Sequence, residues 1–166
     1  MKPGRPESPA LDALVDDILR GQRVVLFPPG VFAFAGAAVT FIVGATLLCA
    51  MTLPVALESI VHPAVAPLLG IAGAAVMLAL AAFAVTSGRA QGRTIFAGMV
   101  AIWLALACLF LLGILGDAWA GKPTLATLPI CFLAAALATT GSSRFRTFTA
   151  FKLRIRERRR QMLQPD

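Results

Sequence analysis

Charged side chains are scarce in this 166-residue chain, which is 58% hydrophobic and 14% charged. About a quarter of the residues in an ordinary soluble domain are charged. The composition therefore excludes an ordinary soluble domain and indicates a membrane protein. Between Val24 and Ser143 the charged residues fall at only three places, which we interpret as turns: Glu58, Arg89 with Arg93, and Asp117 with Lys122.

Groups that carry chemistry are also few. The sequence contains one histidine and no GxGxxG, Walker loop, HExxH or CxxC motif. No apolar run carries an ionisable residue at its centre, where pumps and ion-coupled transporters usually keep one. These absences argue against proton coupling and against Ser-His-Asp catalysis. We therefore expect no enzymatic activity, no cofactor and no bound metal.

What the sequence has in abundance is long apolar runs. Three of the four runs reach the ~20 residues that a helix needs to cross a hydrocarbon core of ~30 Å. The fourth is short, and we expect it to continue through Gly141 and Ser143 to Phe145 and to merge with the basic tail. None alternates like a barrel strand. The runs are Val31 to Leu53, Ala64 to Thr86, Ile95 to Leu115 and Leu125 to Thr140.

The predicted fold is an all-α integral membrane protein with four transmembrane helices in two hairpins. An N-terminal amphipathic helix and a basic C-terminal juxtamembrane helix flank them. Residues 1–30 form a cytoplasmic amphipathic arm with a Pro-Pro-Gly linker, residues 31–143 the four-helix transmembrane bundle, and residues 144–166 a basic cytoplasmic tail. The first run is too long for the apolar core of a signal peptide, and an acidic segment precedes it, so we expect it to be retained.

Lysine and arginine are distributed very unevenly about these runs. Fourteen of the fifteen lie before the first run, between the second and third, or after the fourth, and only Lys122 lies on the other side. By the positive-inside rule both termini are expected to be cytoplasmic. With such compact loops, we predict a multi-pass protein of the bacterial cytoplasmic (inner) membrane.

The basic tail is predicted to contact anionic lipid headgroups, because each cation near an anionic leaflet contributes about 1 kcal/mol. No base-reading motif accompanies it, so we expect no nucleic-acid partner. A helical stripe of Phe148, Phe151, Ile155 and Met162 favours a helix at headgroup level, although residues 151–156 also alternate like a strand. The cations are Arg144, Arg146, Lys152, Arg154, Arg156, Arg158, Arg159 and Arg160.

The N-terminal arm reads as a short amphipathic helix with Ser8 as N-cap, Pro9 in the first turn and Gly21 just beyond its end. Its polar side is acidic, which suits a protein surface better than an anionic bilayer. The arm is expected either to pack on its own chain, for instance on the basic tail, or to dock on another subunit. Its apolar face supplies the candidate partner-binding residues Leu11, Leu14, Val15, Ile18 and Leu19, and its acidic side carries Asp12, Asp16 and Asp17.

Small residues recur every four positions in the first two runs. Such stripes allow close helix packing, either within one chain or between copies of it. They comprise Gly36, Thr40 and Gly44, and then Ala66, Gly70 and Ala74.

A shift of 62 residues also aligns the two predicted hairpins without a gap. It places Phe34 to Gly36 over Phe96 to Gly98, Phe41 over Trp103, and Pro67 over Pro129. Common origin and chance identity in an Ala- and Leu-rich chain both explain this alignment.

Two further groups of residues are candidate sites. Glu58 and His62 are one helical turn apart on the outer side, but two ligands are too few for a metal site, and a solvated loop pair is expected. Three cysteines fall at similar predicted depth, without the paired spacing of a redox or metal site. They are Cys49, Cys108 and Cys131.

Three classes of function fit this pattern. The first, which we favour, is a non-catalytic accessory or assembly subunit of a larger membrane complex; a membrane immunity protein would look similar. The second is a small oligomeric channel or transporter for a neutral solute. The third is a lipid-modifying enzyme using Glu58, His62 and Asp117, although a helical hairpin separates the first two from Asp117. The channel would be lined by Thr40, Thr46, Thr52 and Thr86.

Overall fold

The computed structural model describes residues 9–22, 24–56, 62, 64–113 and 123–163, apart from the side chains of residues 55, 56, 113 and 123–126. These residues form helices joined by turns, and no strand occurs among them. The helices are α1 (Pro9–Leu19), α2 (Val31–Ala56), α3 (Ala66–Thr86), α4 (Gly92–Gly113), α5 (Pro123–Gly141) and α6 (Ser143–Leu163).

Three helices are long and apolar enough to cross a membrane, and they span Val31–Pro54, Ala66–Thr86 and Gly92–Leu112. A fourth candidate is the bent pair formed by α5 and α6. The described part of the chain is thus all-helical, as expected, with three or four candidate membrane spans.

The expected merger of the fourth run with the basic tail into one helix is not found, because two separate helices, α5 and α6, occupy this region. The chain bends by 57° between α5 and α6. Gly141 and Ser142 occupy the break, and Gly/Ser pairs are a common cause of sharp helix kinks. The Ser142 hydroxyl accepts a hydrogen bond from the Phe145 N–H at 3.2 Å and so caps the start of α6. The 19 residues of α5 already extend about 28 Å, so this helix needs no continuation to approach the length of a span.

Helices α2 to α5 form a closed bundle in which each contacts the next and α5 returns to α2. Helix α2 also contacts α4 across the centre. The starts of α2 and α4 and the ends of α3 and α5 therefore lie at the same end, which we call the basal end. Apolar side chains fill the interior, including Ala37, Phe41, Val100, Leu133 and Ala136.

The small residues of α2 and α3 contribute unequally to this packing. A Cβ on Gly44 would meet the side chain of Leu133 at 2.9 Å, and one on Gly70 would meet the Cys49 sulfur at 2.8 Å. Close packing within the chain therefore requires small residues at both positions. Gly36 is different, because a Cβ there would meet no neighbouring atom among the described residues within 4 Å.

Aromatic residues that are 62 positions apart contact each other between α2 and α4. The ring centroids of Phe34 and Phe96 are 5.9 Å apart, and those of Phe41 and Trp103 are also 5.9 Å apart, with edge-to-face geometry. Contacts between equivalent residues are what a two-fold axis between α2 and α4 would produce.

Two glycines 62 positions apart both lie at close backbone approaches, although Gly30 has φ 78° and Gly92 has no positive φ. Gly30 precedes α2 and Gly92 begins α4. A Cβ on either would collide with a carbonyl oxygen of the other half of the chain, that of Arg144 for Gly30 and that of Ala84 for Gly92. The contacts themselves differ, because Gly30 meets the start of α6 and Gly92 meets the end of α3.

The second helices of the two hairpins correspond less closely. Pro67 is the second residue of α3, whereas Pro129 lies inside α5 because α5 begins earlier, at Pro123. The two halves therefore match best at α2 and α4, the helices that contact each other across the centre.

Candidate functional site

Helix α6 lies across the basal end and contacts all five other helices. Phe145, Phe148 and Phe151 follow one another at intervals of three, which places them on one side of the helix. All three are buried. Burial of this aromatic side is what holds a strongly basic helix against an apolar bundle.

Four phenylalanines, two from α6 and two from the bundle, form a cluster where α6 meets the bundle. The Phe34 ring lies 5.1 Å from that of Phe148 and 6.1 Å from that of Phe145, and Phe96 lies 5.7 Å from Phe145. These centroid distances are in the range of favourable aromatic pairs, each worth about 0.5–1.5 kcal/mol beyond its buried area. The cluster closes the basal end of the bundle.

Two glycines allow α6 to approach the backbone of the bundle. Gly30 has φ 78° and Gly88 has φ 67°, values that residues other than glycine rarely adopt. A Cβ on Gly30 would collide with the Arg144 carbonyl, and one on Gly88 would lie 2.5 Å from the Lys152 oxygen. These contacts fix α6 at two points along its length.

The predicted apolar stripe of the tail is partly correct. Phe148 and Phe151 are buried and Ile155 is half-buried, but Met162 is 61% exposed. The strand alternative for residues 151–156 is wrong, because these residues belong to α6. Met162, near the end of α6, therefore does not belong to the buried side of the helix.

Helix α1 lies along one flank of α6 and is joined to it by two ion pairs. The Arg154 guanidinium donates to the Asp12 carboxylate at 2.7 Å, and Arg158 lies 3.4 Å from Asp16. Both pairs advance four residues along each helix, so α1 and α6 run parallel. Of the two alternatives for the arm, the structure thus contains the contact with the chain's own basic tail.

The boundaries of α1 follow the sequence signals that lie within the described residues. The helix begins at Pro9, while Ser8 lies outside the described residues. After its end, the N–H groups of Gly21 and Gln22 donate back to the carbonyls of Ile18 and Asp17 at 3.1 and 2.9 Å. This is the Schellman arrangement, with Gly21 in the predicted C′ position.

The apolar face of α1 is only partly covered. Val15 is 1% exposed, so it is engaged within the chain and unavailable to a partner while α1 stays in place. The other four candidate partner-binding residues keep part of their surface, and binding through them stays a prediction. They are the half-buried Leu11, Leu14, Ile18 and Leu19.

The linker between α1 and α2 exposes a second apolar surface. Val24 and Leu26 are more than 80% exposed, and the Phe27 ring stacks on that of Phe32 at 5.4 Å. Phe32 is in the first turn of α2 and is itself exposed. This apolar linker surface continues the outer surface of α2 past the basal end.

The flank of α6 opposite α1 borders a cleft. Arg156 and Arg160 face the α3–α4 turn, which contributes Arg89. The cleft is open and has a volume of about 450 Å³. Four arginines of α6 therefore divide into two pairs, each spaced by four residues: Arg154 with Arg158 toward α1, and Arg156 with Arg160 toward the cleft.

The remaining cations of the tail occupy separate places. Lys152 lies 5.8 Å from the centroid of the Phe148 ring, where a cation–π contact stabilises it. Arg144 borders a groove beside Gly30, and Arg146 and Arg159 are exposed. The cations predicted to contact lipid are therefore not equivalent, and the contact with lipid itself stays a prediction.

The threonines proposed to line a channel have different surroundings. The hydroxyls of Thr40 and Thr86 donate to carbonyls of their own helices, at 2.8 Å to Gly36 and 2.9 Å to Ala82. Thr52 instead lines an apolar cavity of about 320 Å³ between α2, α3 and α4.

The cysteines and the outer-loop residues provide no assembled site in the described part of the protein. Cys49 is buried, Cys108 half-buried and Cys131 exposed, and all three are free thiols. No group of three potential metal-ligating side chains occurs among the described residues. His62 is exposed and accepts a hydrogen bond from the Ala64 N–H, while Glu58 and Asp117 lie outside the described residues.

Sequence reasoning missed the residues that position α6. Phe34 and Phe96 are paired by the 62-residue alignment, but that pairing does not predict that both contact the tail. Gly88 and Arg89 are about sixty residues from the tail, and only the three-dimensional contact reveals their role. A usable signal was the Ser142 N-cap, which marks the start of a separate helix.

Comparison with known proteins provides no relative for this chain. No protein-family model, no curated protein and no solved structure matches it.

Proposed function

We propose that this protein is a non-catalytic accessory or assembly subunit of a larger membrane complex, which it contacts through its two terminal helices and its bundle. The observation that carries the proposal is the joining of α1 to α6 at one end of the bundle by Asp12–Arg154 and Asp16–Arg158. Two charged segments from opposite ends of the chain thereby form one surface on a rigid apolar support.

The packing of the bundle interior and the position of the charged groups both support a role in binding another protein. The bundle interior is packed with apolar side chains, whereas the charged groups of the described residues gather at the basal end. An 11-residue helix such as α1 is marginal in water on its own, so its conformation depends on the surface beneath it. A partner that covers Leu14 and Ile18 would bury the apolar surface that α6 leaves half-exposed.

The proposal includes an orientation. Four membrane spans, with α1 and α6 on the cytoplasmic side of a bacterial inner membrane, place fourteen of the fifteen lysines and arginines on that side. A reporter that is active only in the cytoplasm should give signal when fused after Asp166 and none when inserted at Gly121. The reverse result would contradict this orientation.

The proposed function is tested by purifying a tagged protein in mild detergent and identifying stoichiometric companions by mass spectrometry. We expect a partner with the native chain and its loss with Leu14→Asp combined with Ile18→Asp, because two charges would be placed on the apolar face. The matched control is Ala10→Asp combined with Ala13→Asp, which adds the same charges at exposed positions of α1. The control should retain the partner.

Two results would contradict the proposal. One is the absence of any stoichiometric companion of the native protein extracted from its own membrane. The other is a companion retained equally by both double variants, which would show that the apolar face of α1 does not contribute.

A further inference from the structure

The cleft between α6 and the α3–α4 turn has the composition of an anion site. Three arginines line it, against a single glutamate, Glu157. Gly88, Ala90, Gln91 and Leu153 complete its walls. Because guanidinium groups form paired, charge-assisted hydrogen bonds with phosphate oxygens, such a cleft suits a phosphate group.

The two walls of the cleft are held at a fixed spacing. Gly88 lies against the backbone of Lys152, where even a Cβ would come within 2.5 Å of the carbonyl oxygen. Arg89 follows Gly88, and Arg156 follows Lys152 by one helical turn. The guanidinium groups therefore project from two backbone segments that are in direct contact, which limits the entropy lost when they bind one ligand.

The arginines of this flank differ from those beside α1. Arg154 and Arg158 have aspartate partners. No acidic side chain forms an ion pair with Arg156 or Arg160 within the described ranges. Their charge is available to a ligand.

The location of the cleft indicates what kind of phosphate it meets. It lies directly past the end of the apolar span Ala66–Thr86 and before the span that begins at Gly92. Leu80 and Phe83 of α3 are both more than 60% exposed, and Arg89 lies 5.8 Å from the centre of the Phe83 ring. An acyl chain against this surface of α3 would bring its headgroup to Arg89.

We propose that Arg89, Arg156 and Arg160 bind the headgroup phosphate of an anionic phospholipid in this cleft. The lipid chains follow the exposed surface of α3, and the phosphate lies between α6 and the α3–α4 turn. This assignment separates Arg156 and Arg160 from the other cations of the tail, and it adds Arg89, which belongs to a different part of the chain. It does not depend on α1 binding a partner.

Native mass spectrometry in a neutral detergent tests the site, because no charged leaflet is then present to attract cations indiscriminately. The full-length protein is titrated with diphosphatidylglycerol, with phosphatidylglycerol and with zwitterionic phosphatidylcholine. We expect tight binding of one anionic lipid and weak binding of phosphatidylcholine. A separate arm adds inorganic phosphate as a competitor.

The decisive variant is Arg156→Gln combined with Arg160→Gln. It should weaken anionic-lipid binding by about tenfold or more, because each charge-assisted hydrogen bond that is lost costs about that factor. Arg146→Gln combined with Arg159→Gln removes the same charge from exposed positions outside the cleft and should change binding less than about threefold. Unchanged thermal unfolding of both variants establishes that each is folded.

Three results would overturn the site. Equal weakening in both double variants would show diffuse attraction to the tail. Equal binding of phosphatidylcholine would show that the net negative charge of the headgroup is not recognised. Displacement of the lipid by inorganic phosphate at comparable concentration would show a site for the free anion.

Discussion

The two flanks of α6 carry the same residue at the same spacing and yet meet different surroundings. Arg154 and Arg158 face the aspartates of α1, and Arg156 and Arg160 face a cleft whose third arginine comes from the α3–α4 turn. A helix rotates by about 200° over two residues, which is why neighbouring pairs project to opposite flanks. A count of positive charges cannot distinguish an arginine that fastens a helix from one that is available to an anion.

The largest effect is expected from a change in the buried phenylalanines that hold α6 against the bundle. Phe148→Ala would open a cavity under α6 and should lower the free energy of unfolding by about 3–5 kcal/mol. Phe32→Ala is the matched control, because that ring is 72% exposed and its loss leaves the basal cluster intact. Denaturant unfolding in detergent measures both. Equal losses would mean that the cluster does not hold α6.

The second-largest effect is expected at the backbone contact between Gly88 and Lys152, beside the cleft. Gly88→Ala forces a side chain into a left-handed conformation, at about 1–2 kcal/mol, and against the backbone of α6. We expect destabilisation by about 2 kcal/mol together with weaker lipid binding.

Gly98→Ala makes the same chemical change inside α4, where a Cβ meets no described atom within 4 Å, and it should leave lipid binding unchanged and raise stability by at most about 1 kcal/mol. A Gly88→Ala protein with native stability and native lipid binding would contradict the account of the two fixed walls.

Charge reversal on α1 should affect one flank alone. Asp12→Lys combined with Asp16→Lys replaces two attractions with repulsions, and we expect hydrogen exchange in residues 9–22 to accelerate by about tenfold. Asp17→Lys is the control, because Asp17 has no ion pair among the described residues. Faster exchange in the control alone would reverse our assignment of the two faces of α1.

High salt should also accelerate hydrogen exchange in α1 of the native protein. Raising the ionic strength from about 0.01 M to about 1 M shortens the Debye length from about 30 Å to about 3 Å and screens partly exposed pairs. We expect faster exchange in α1 and little change in α6, whose aromatic side is buried. Salt-independent exchange in α1 would mean that apolar contact alone holds it.

The smallest effect distinguishes the two ion pairs. Asp12→Asn should accelerate exchange in α1 more than Asp16→Asn, because the Asp12 pair is shorter and the side chain of Arg154 is 17% exposed, against 47% for Arg158. The difference should be a few tenths of a kcal/mol, as is typical of exposed ion pairs. The same exchange measurement detects it, and the opposite order would contradict the ranking.

Sequence patterns were sufficient for features that depend on neighbouring residues. Apolar runs identified α2 to α4, and Pro9 and Gly21 marked both ends of α1. The bend after α5 was missed because the need for a ~20-residue span favoured a continuous helix, while the length of α5 toward Pro123 was underestimated. Hydrophobicity predicts the total length of helix better than the position at which a helix breaks.

The arrangement of the basal end could not be predicted in the same way. Periodicity placed Asp12, Asp16 and Asp17 on one polar side, but it does not reveal which of them meets an arginine. Arg89 becomes a neighbour of Arg160 only when α6 folds back across the α3–α4 turn. Such contacts depend on the angle between two helices, and that angle is not encoded in the pattern of either.

The central claim is that the two flanks of α6 act separately, and one paired measurement tests it most directly. Hydrogen exchange in α1 and anionic-lipid occupancy are recorded for Arg154→Glu with Arg158→Glu, for the same protein with Asp12→Lys and Asp16→Lys added, and for Arg156→Gln with Arg160→Gln. We predict that the first loosens α1 without releasing lipid, the second restores α1, and the third releases lipid without loosening α1. Loosening of α1 and loss of lipid that rise and fall together in all three proteins would contradict the claim.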